Sequence, residues 1–223
     1  MGARMNRLRA GVLGANDGIV STAALVVGVA GAGTDRSALL TAGIAGLFSG
    51  ALSMAVGEYV SVSSQRDAER AALATERREL TEMPEAEFEE LTRLLQGKGL
   101  SPRLSRQVAR ELTERDALTA HAEIELGIDP ENLTNPWHAA AASFAAFTVG
   151  ALLPLIAIVL PPPAFRVAVT VAAVTLALVV TGWSSARMGG APAGTAIMRV
   201  VSGGLIAMAV TYGVGSLVGF AGV

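Results

Sequence analysis

Glutamates and a histidine recur at helical spacing in the middle of this sequence. Glu76 and Glu79 are three residues apart, as are Glu87 and Glu90, so each pair projects from one face of a helix. One such pair is common on a solvated helix, but several sets close together resemble the way helical bundles hold iron or manganese. The spacing predicts a metal site made of Glu76, Glu79, Glu87, Glu90, His121 and Glu125.

Polar side chains also fall inside apolar segments of the chain. Asp17 and Glu58 are acidic residues of such segments, and Met54 lies one helical turn before Glu58. Two carboxylates held in a membrane cost on the order of 5 to 7 kcal/mol, which a cation or proton pathway would explain. The thioether of Met54 could serve a passing Fe(II). We therefore expect a translocation pathway with Asp17, Met54 and Glu58.

Each of these assignments has a structural alternative. Asn16 or Asp17 could cap the first membrane helix, and Met54 could simply pack against a neighbouring helix. His121 alone could be a solvated or hydrogen-bonded imidazole. Gly46 and Gly50 share a face with Met54 and Glu58 at a spacing of four, which is typical of a seam where a second helix comes close.

Composition excludes an ordinary soluble domain. The chain has 223 residues, 52% of them hydrophobic and only 16% charged, with a mean hydropathy of +0.50. It contains no cysteine, so a disulfide framework and a thiolate metal site are both excluded. A small integral membrane protein with carboxylate, histidine or methionine ligands, which favour the harder divalent ions, is the remaining class.

Five apolar segments are long enough to cross a bilayer, so the sequence predicts an all-α membrane protein with five transmembrane helices. No cleavable secretory signal is evident, and the first segment is expected to stay in the membrane. The predicted spans are 11–33, 39–62, 135–160 with a kink at Pro154, 165–183 and 198–223.

A charged insert separates spans two and three. The helix of span two continues without a breaker as far as Pro84, followed by helices predicted over 85–96 and 101–126. Residues 63–135 hold sixteen acidic and ten basic side chains, a net charge of −6. The predicted organisation is therefore spans one and two in 1–62, a three-helix metal-binding domain in 63–135, and spans three to five in 136–223.

The distribution of basic residues predicts the orientation in the membrane. Arg36 and Arg166 are the basic residues on one side. The ten basic residues of the insert fall on the other side, together with Arg4, Arg7, Arg9, Arg187 and Arg199. The N-terminus and the insert are therefore expected in the cytoplasm.

Several motifs of this chain closely resemble those of the vacuolar iron transporter family. They are spread over essentially the whole sequence and are specific as a set. They are Asn16-Asp17-Gly18-Ile19-Val20, the segment from Gly50 through Met54 to Gly57-Glu58-Tyr59, Glu125-Leu126-Gly127 ahead of Asn135-Pro136-Trp137, and Gly150 to Leu155 with Pro154.

The resemblance, to a bacterial-type member, implies a transporter and not an enzyme. It implies a homodimer of five-span subunits that moves Fe(II), and often Mn(II), out of the cytosol in exchange for protons, with no permanent cofactor. The path would lie at the dimer interface, in a plasma membrane if the host has no vacuole. Asp17 and Met54 match translocation residues of the family. Glu76, Glu79, Glu87, Glu90 and Glu125 match carboxylates of its cytoplasmic metal-binding domain.

Two positions depart from the family pattern. Gly46 stands where plant members carry a glutamate, so that acidic role is expected at Glu58. His121-Ala122 stands where those members carry two methionines, which would alter metal preference. A different class of function also fits the carboxylates: a membrane-anchored, ferritin-like iron oxidase or storage protein, in which the spans serve only as anchors and need no charged residue.

Overall fold

The protein is all-helical in this computed structural model, as the sequence predicts. Residues 2–221 are described, with side chains from Gly11 onward, and within them there are seven α-helices and no β-strand. The side chains of Arg4, Arg7 and Arg9, used above to orient the chain, lie outside the described residues. The helices are α1 (Gly2–Gly31), α2 (Arg36–Glu82), α3 (Pro84–Gly97), α4 (Pro102–His121), α5 (Pro136–Val159), α6 (Arg166–Gly189) and α7 (Ala193–Phe220).

Five helices of residues 2–221 are long and apolar enough to cross a membrane, which confirms the predicted number. The last one starts at Ala193, earlier than the expected 198, because Pro192 precedes it and glycine at 194 does not break the helix. The candidate spans are Gly11–Gly31, Arg36–Glu82, Pro136–Val159, Pro163–Gly189 and Ala193–Phe220.

Asp17 lies inside α1 and does not cap it. The helix begins at Gly2, so the carboxylate is several turns from the helix N-terminus, where backbone N–H groups lack partners. The capping interpretation of Asp17 is therefore wrong. Its neighbour Asn16 has a buried side-chain oxygen with no hydrogen-bond partner in the described part of the chain.

The chain divides into two compact units. One contains the helices before Tyr59 and after Trp137, and the other contains Val60–Pro136. In the first unit α1 is central and packs against α6 and α7. Ala23 and Val26 of α1 are fully buried, as are Val174 and Leu178 of α6. These side chains belong to one continuous apolar core that also includes Phe147 of α5.

Glycine brings the backbones of α1 and α5 into contact. A Cβ atom on Gly18 would overlap the carbonyl oxygen of Phe147, and one on Gly150 would overlap that of Ala15. The predicted seam on α2 is filled from within the same chain: the Leu25 side chain covers Gly46, and the ring of Phe147 covers Gly50. Both glycines thus serve packing inside the subunit.

The second unit is built on a separate apolar cluster. Leu91, Leu95 and Ala109 of α3 and α4 are buried, and Phe88 packs against them. Because Phe88, Leu91 and Leu95 recur at helical spacing, this contact face follows directly from the sequence. At the start of α4, the Ser101 side chain accepts a hydrogen bond from the backbone N–H of Leu104 and so caps the helix.

The helix predicted over 101–126 is not continuous. Asp116 has extended dihedral angles (φ −166°, ψ 98°), and its carboxylate accepts hydrogen bonds from the backbone N–H and the hydroxyl of Thr119. A π-helical turn, Ala122–Leu126, follows α4 and ends at Gly127, which has a positive φ of 68°. Asp116 therefore starts a second short helical segment, as an aspartate N-cap does.

We expect Gly150→Ala to destabilise the folded protein. The added methyl group meets the backbone of α1, which cannot rotate away as a side chain can, so the cost should be roughly 1–3 kcal/mol. Thermal unfolding in detergent measures it. The matched control is Gly203→Ala in α7, where a Cβ meets nothing within 4 Å and which should be neutral or stabilising. Equal stability of the two variants would contradict the close contact.

Candidate metal centre and membrane pocket

Four ionisable side chains of the second unit meet around one nitrogen atom. Nδ1 of His121 lies 2.9 Å from Oε1 of Glu76, 3.4 Å from Oε2 of Glu125 and 3.7 Å from Oε2 of Glu87. The charged part of α2 contributes Glu76, α3 contributes Glu87, α4 ends in His121, and the π-helical turn carries Glu125. We refer to these four side chains as the His121 cluster.

The cluster is closed on one side and open on the other. The side chains of His121, Glu76 and Glu87 are buried, whereas that of Glu125 is 29% exposed. Single ligand atoms of Glu76, His121 and Glu125 all lie within 4.8 Å of one another. Three carboxylates and an imidazole at such distances can hold a divalent cation, and Glu125 offers the route from solvent.

Two buried polar atoms of the His121 cluster have no hydrogen-bond partner among the described residues. Among the described residues, neither Oε1 of Glu76 nor Nε2 of His121 has a hydrogen-bond partner, and both atoms are inaccessible to solvent. Oε1 is close to Nδ1 but lacks hydrogen-bond geometry. A buried polar atom without a partner costs about 1–3 kcal/mol. Nδ1 of His121 and Oε2 of Glu125, 3.4 Å apart, do form a hydrogen bond, so hydrogen bonds satisfy only part of the cluster.

Burial and crowding of negative charge change the acidity of two members. Burial raises the pKa of Glu76, Glu125 adds to the increase, and His121 partly opposes it. The pKa of Glu87 is also raised, first by burial and then by Glu90, again against an opposing effect of His121. Both carboxylates therefore hold protons more readily than free glutamate, and a bound cation would relieve the repulsion.

The remaining two predicted ligands lie beside the cluster. Glu79 and Glu90 are half-buried and are close enough to raise the pKa of Glu76 and Glu87, respectively. Of the six predicted ligands, the structure thus brings three carboxylates around Nδ1 of the fourth, His121. Glu79 and Glu90 contribute negative charge around it.

A separate pocket lies in the first unit, between α1, α2 and α5. Its volume is about 400 Å³, and both Asp17 and Met54 line it. Glu58 does not line it and is half-buried elsewhere on α2, next to Tyr59, whose ring lies 4.7 Å from that of Trp137. Of the three residues expected in a pathway, two therefore share one pocket.

Hydroxyl groups of this pocket did not figure in the sequence analysis. Ser49 and Ser53 are four residues apart on α2, on the same stretch as Met54, so their helical spacing could have indicated them. Ser21 follows Asp17 by one turn of α1, and its hydroxyl donates to the Asp17 backbone carbonyl. The pocket therefore offers one carboxylate, a thioether and several hydroxyls. Its lining residues are Asp17, Ser21, Thr22, Leu25, Gly46, Ser49, Gly50, Ser53, Met54 and Phe147.

Comparison with known proteins shows similarity along nearly the whole chain. The model of the VIT family matches residues 8–216. A vacuolar iron transporter from Acanthamoeba castellanii is 45% identical over 211 residues, which are 94% of this chain and 78% of that protein. Vacuolar iron transporter homolog 2 of Arabidopsis thaliana is 39% identical over 220 residues, 98% of this chain and 88% of that protein. Vacuolar iron transporter homolog 1 of Oryza sativa subsp. japonica is 40% identical over 222 residues, which are 99% of this chain and 78% of that protein.

We expect Glu76→Gln to stabilise the metal-free protein at neutral pH. A carboxyl group with a raised pKa in the folded state binds its proton more tightly there than in the unfolded chain, so its ionisation destabilises the fold as pH rises through that pKa. Glutamine removes the charge. The gain in unfolding free energy of Glu76→Gln over the unchanged protein should shrink as pH falls and Glu76 becomes protonated.

Thermal unfolding of both proteins in metal-free buffer over a pH series tests this. Glu123→Gln, which changes an exposed glutamate on the π-helical turn that carries Glu125, is the matched control. A stability difference for Glu76→Gln that does not depend on pH would contradict the electrostatic explanation.

Proposed function

The chain belongs to the vacuolar iron transporter (VIT) family, and on this premise we propose that it carries Fe(II), and also Mn(II), out of the cytosol in exchange for protons. Its relatives are named as transporters, which agrees with a protein that is not an enzyme. The observation that carries the proposal is the shared pocket of Asp17 and Met54 among candidate membrane helices.

The chemistry of the pocket suits a borderline divalent ion. A carboxylate and hydroxyls are hard oxygen ligands that accept Mn(II) and Fe(II), and the thioether of Met54 adds a softer ligand that favours Fe(II). Neutral hydroxyls bind less strongly than further carboxylates would. An ion held by one carboxylate and neutral groups can therefore leave again, as transport requires.

Proton exchange follows from competition for the same oxygen atoms. A carboxylate such as Asp17 in an apolar surrounding needs a compensating positive charge, which a metal ion or a proton can supply. A metal ion and a proton cannot bind the same lone pairs of the carboxylate at the same time. An ion that leaves Asp17 on one side of the membrane would thus be replaced by a proton on the way back.

The acidic unit formed by Val60–Pro136 would collect the metal. Residues 63–135 carry a net charge of −6, which attracts cations over distances of about a Debye length, 8 Å at physiological salt. By the distribution of basic residues we place this unit in the cytoplasm. Export from the cytosol then follows, across a plasma membrane in a host without vacuoles or into a vacuole in a host that has one.

A second copy of the chain would complete the pathway. The Asp17 side chain is exposed on the single chain, although it belongs to a membrane segment, and Leu13, Ser21 and Leu25 are exposed one turn apart along the same line. A charge facing lipid costs roughly 2.5–3.5 kcal/mol. Two Asp17 carboxylates facing each other across a twofold axis would escape lipid and together balance the charge of one divalent ion.

The alternative of a membrane-anchored oxidase or storage protein is not favoured. Helices that only anchor a protein need no carboxylate, and each carboxylate within a membrane helix lowers the stability of the protein. The comparisons also match the membrane helices at both ends of the chain, since the family model covers residues 8–216. Glu58, which does not line the pocket, would act near the end of the path and not at its centre.

We expect Asp17→Asn to abolish iron transport, or to reduce it at least about tenfold, and to remove its dependence on a pH gradient. Asparagine keeps the shape but loses the charge that binds metal and proton. Uptake of ⁵⁵Fe(II) into proteoliposomes, with and without a pH gradient, measures both effects. Asp35→Asn is the matched control, because Asp35 caps α2 through the N–H of Ala38 and asparagine caps equally well. Normal transport by Asp17→Asn would contradict the pathway.

We also expect Met54→Cys to form a cross-link between two subunits. The chain has no cysteine, so an oxidised dimer band on a non-reducing gel reports this position alone. Leu176→Cys is the comparison, since Leu176 is 69% exposed on α6, away from the pocket. A protein that is strictly monomeric in mild detergent and in nanodiscs would overturn the paired-Asp17 arrangement, even with transport intact.

A further inference from the structure

The two ring nitrogens of His121 have surroundings that are unusual for a buried structural histidine. A buried imidazole normally satisfies both ring nitrogens, but Nε2 has no partner within the described residues. The other nitrogen, Nδ1, faces the oxygens of Glu76, Glu125 and Glu87 together. The ring therefore makes a hydrogen bond at one nitrogen only, between Nδ1 and Oε2 of Glu125, and it is on this nitrogen that the three carboxylates converge.

The distances fit a set of ligands around one ion. Two atoms that each lie about 2.1 Å from a metal are about 3.0 Å apart at right angles and about 3.4 Å apart in a tetrahedron. Nδ1 lies 2.9 Å from Glu76 Oε1 and 3.4 Å from Glu125 Oε2. Glu87 at 3.7 Å needs to close by a few tenths of an ångström.

The buried, unpartnered Oε1 of Glu76 is a second and independent indication of a ligand. This oxygen is the one nearest to Nδ1, yet it forms no hydrogen bond in the part of the chain that the structure describes. Two polar atoms that are close without hydrogen-bond geometry are placed as two ligands of one ion are placed. A cation between them would satisfy both.

We propose that His121 is a direct nitrogen ligand of this site and makes it select Fe(II) and Co(II) over Mn(II). This inference rests on the proposed function, because it assumes that the second unit binds the cargo ion. Oxygen ligands alone suit Mn(II), whereas imidazole suits the later first-row ions, whose affinities rise along the series Mn(II), Fe(II), Co(II). The described residues that line the pocket of Asp17 and Met54 include no nitrogen side chain, so this selection would occur before the ion enters the membrane.

The experiment uses the full chain in detergent without oxygen, in an Asp17→Asn parent so that the membrane pocket does not compete. Electron paramagnetic resonance of free Mn(II) gives the Mn(II) affinity, and displacement of bound Mn(II) gives those of Fe(II) and Co(II). Pulsed measurements on bound Mn(II) detect a coupled ¹⁴N nucleus. We expect this coupling, and a preference for Fe(II) and Co(II) over Mn(II) of at least about tenfold.

Two substitutions separate His121 from other effects. His121→Asp gives an all-oxygen site that should still bind Mn(II), lose the ¹⁴N coupling and lose about tenfold or more of the preference for Fe(II). His138→Asn changes the other of the two histidines, which is exposed at the start of α5, and should alter neither property. If His121→Asp does not fold, His121→Gln replaces it. The ¹⁴N coupling is measured on the parent protein itself, so that part of the test does not depend on any variant at position 121.

Each outcome decides a different statement. No binding of Mn(II), Fe(II) or Co(II) by the parent would overturn both this inference and the metal-collecting role of the second unit. Binding without ¹⁴N coupling would show an imidazolium that only pairs with carboxylates, and would overturn the inference while transport by the family pathway stands. Coupling with an unchanged preference in His121→Asp would overturn the selectivity.

Discussion

A carboxylate removed from water is stable only when another charge or a hydrogen-bond donor compensates it, and this requirement connects the two sites of the chain. Asp17 belongs to a candidate membrane helix, and Glu76 is buried beside Glu87 and Glu125. In the second unit, burial and the neighbouring carboxylates raise the pKa of Glu76, so without a cation this carboxylate binds a proton more readily than a free glutamate does. A protein that keeps such groups gains nothing in stability from them. Under the proposed function, the transported metal ion or a proton compensates their charge.

Close helix contacts hold Asp17 where it is. The carbonyl of Phe147 reaches α1 at Gly18, the residue directly after Asp17, and the ring of Phe147 lies over Gly50, one turn before Met54. A single residue of α5 therefore fixes both the helix that carries the carboxylate and the helix that carries the thioether. Because glycine is needed at each contact, the pocket depends on backbone packing as much as on its polar side chains.

Much of this architecture could be predicted from the sequence, because hydrophobic runs, prolines and caps act locally. The five membrane helices, the N-cap at Ser101 and the apolar face with Leu91 and Leu95 all follow from such signals. The break at Asp116 did not, since an aspartate inside a helical pattern reads equally well as a surface residue until Thr119 is seen to bond to it. Spacing also grouped Glu58 with Met54, whereas the shape of the pocket, which depends on three helices, separates them.

The interruption at Asp116 lies next to the His121 cluster in the chain. A continuous helix from Pro102 to Leu126 would keep every backbone hydrogen bond, yet the chain breaks at Asp116 and widens into a π-helical turn from Ala122 to Leu126. Both deviations lie within six residues of His121. Helix α4 ends at His121, and the turn that carries Glu125 begins directly after it. Asp116 starts the segment and Gly127, with its positive φ, ends it. The segment thereby has its own register, free of the preceding part of α4, and that register brings Nδ1 of His121 and the Glu125 carboxylate to Glu76. Local helix regularity is thus given up where four ionisable side chains converge, and backbone irregularities of this kind are often found at candidate binding sites.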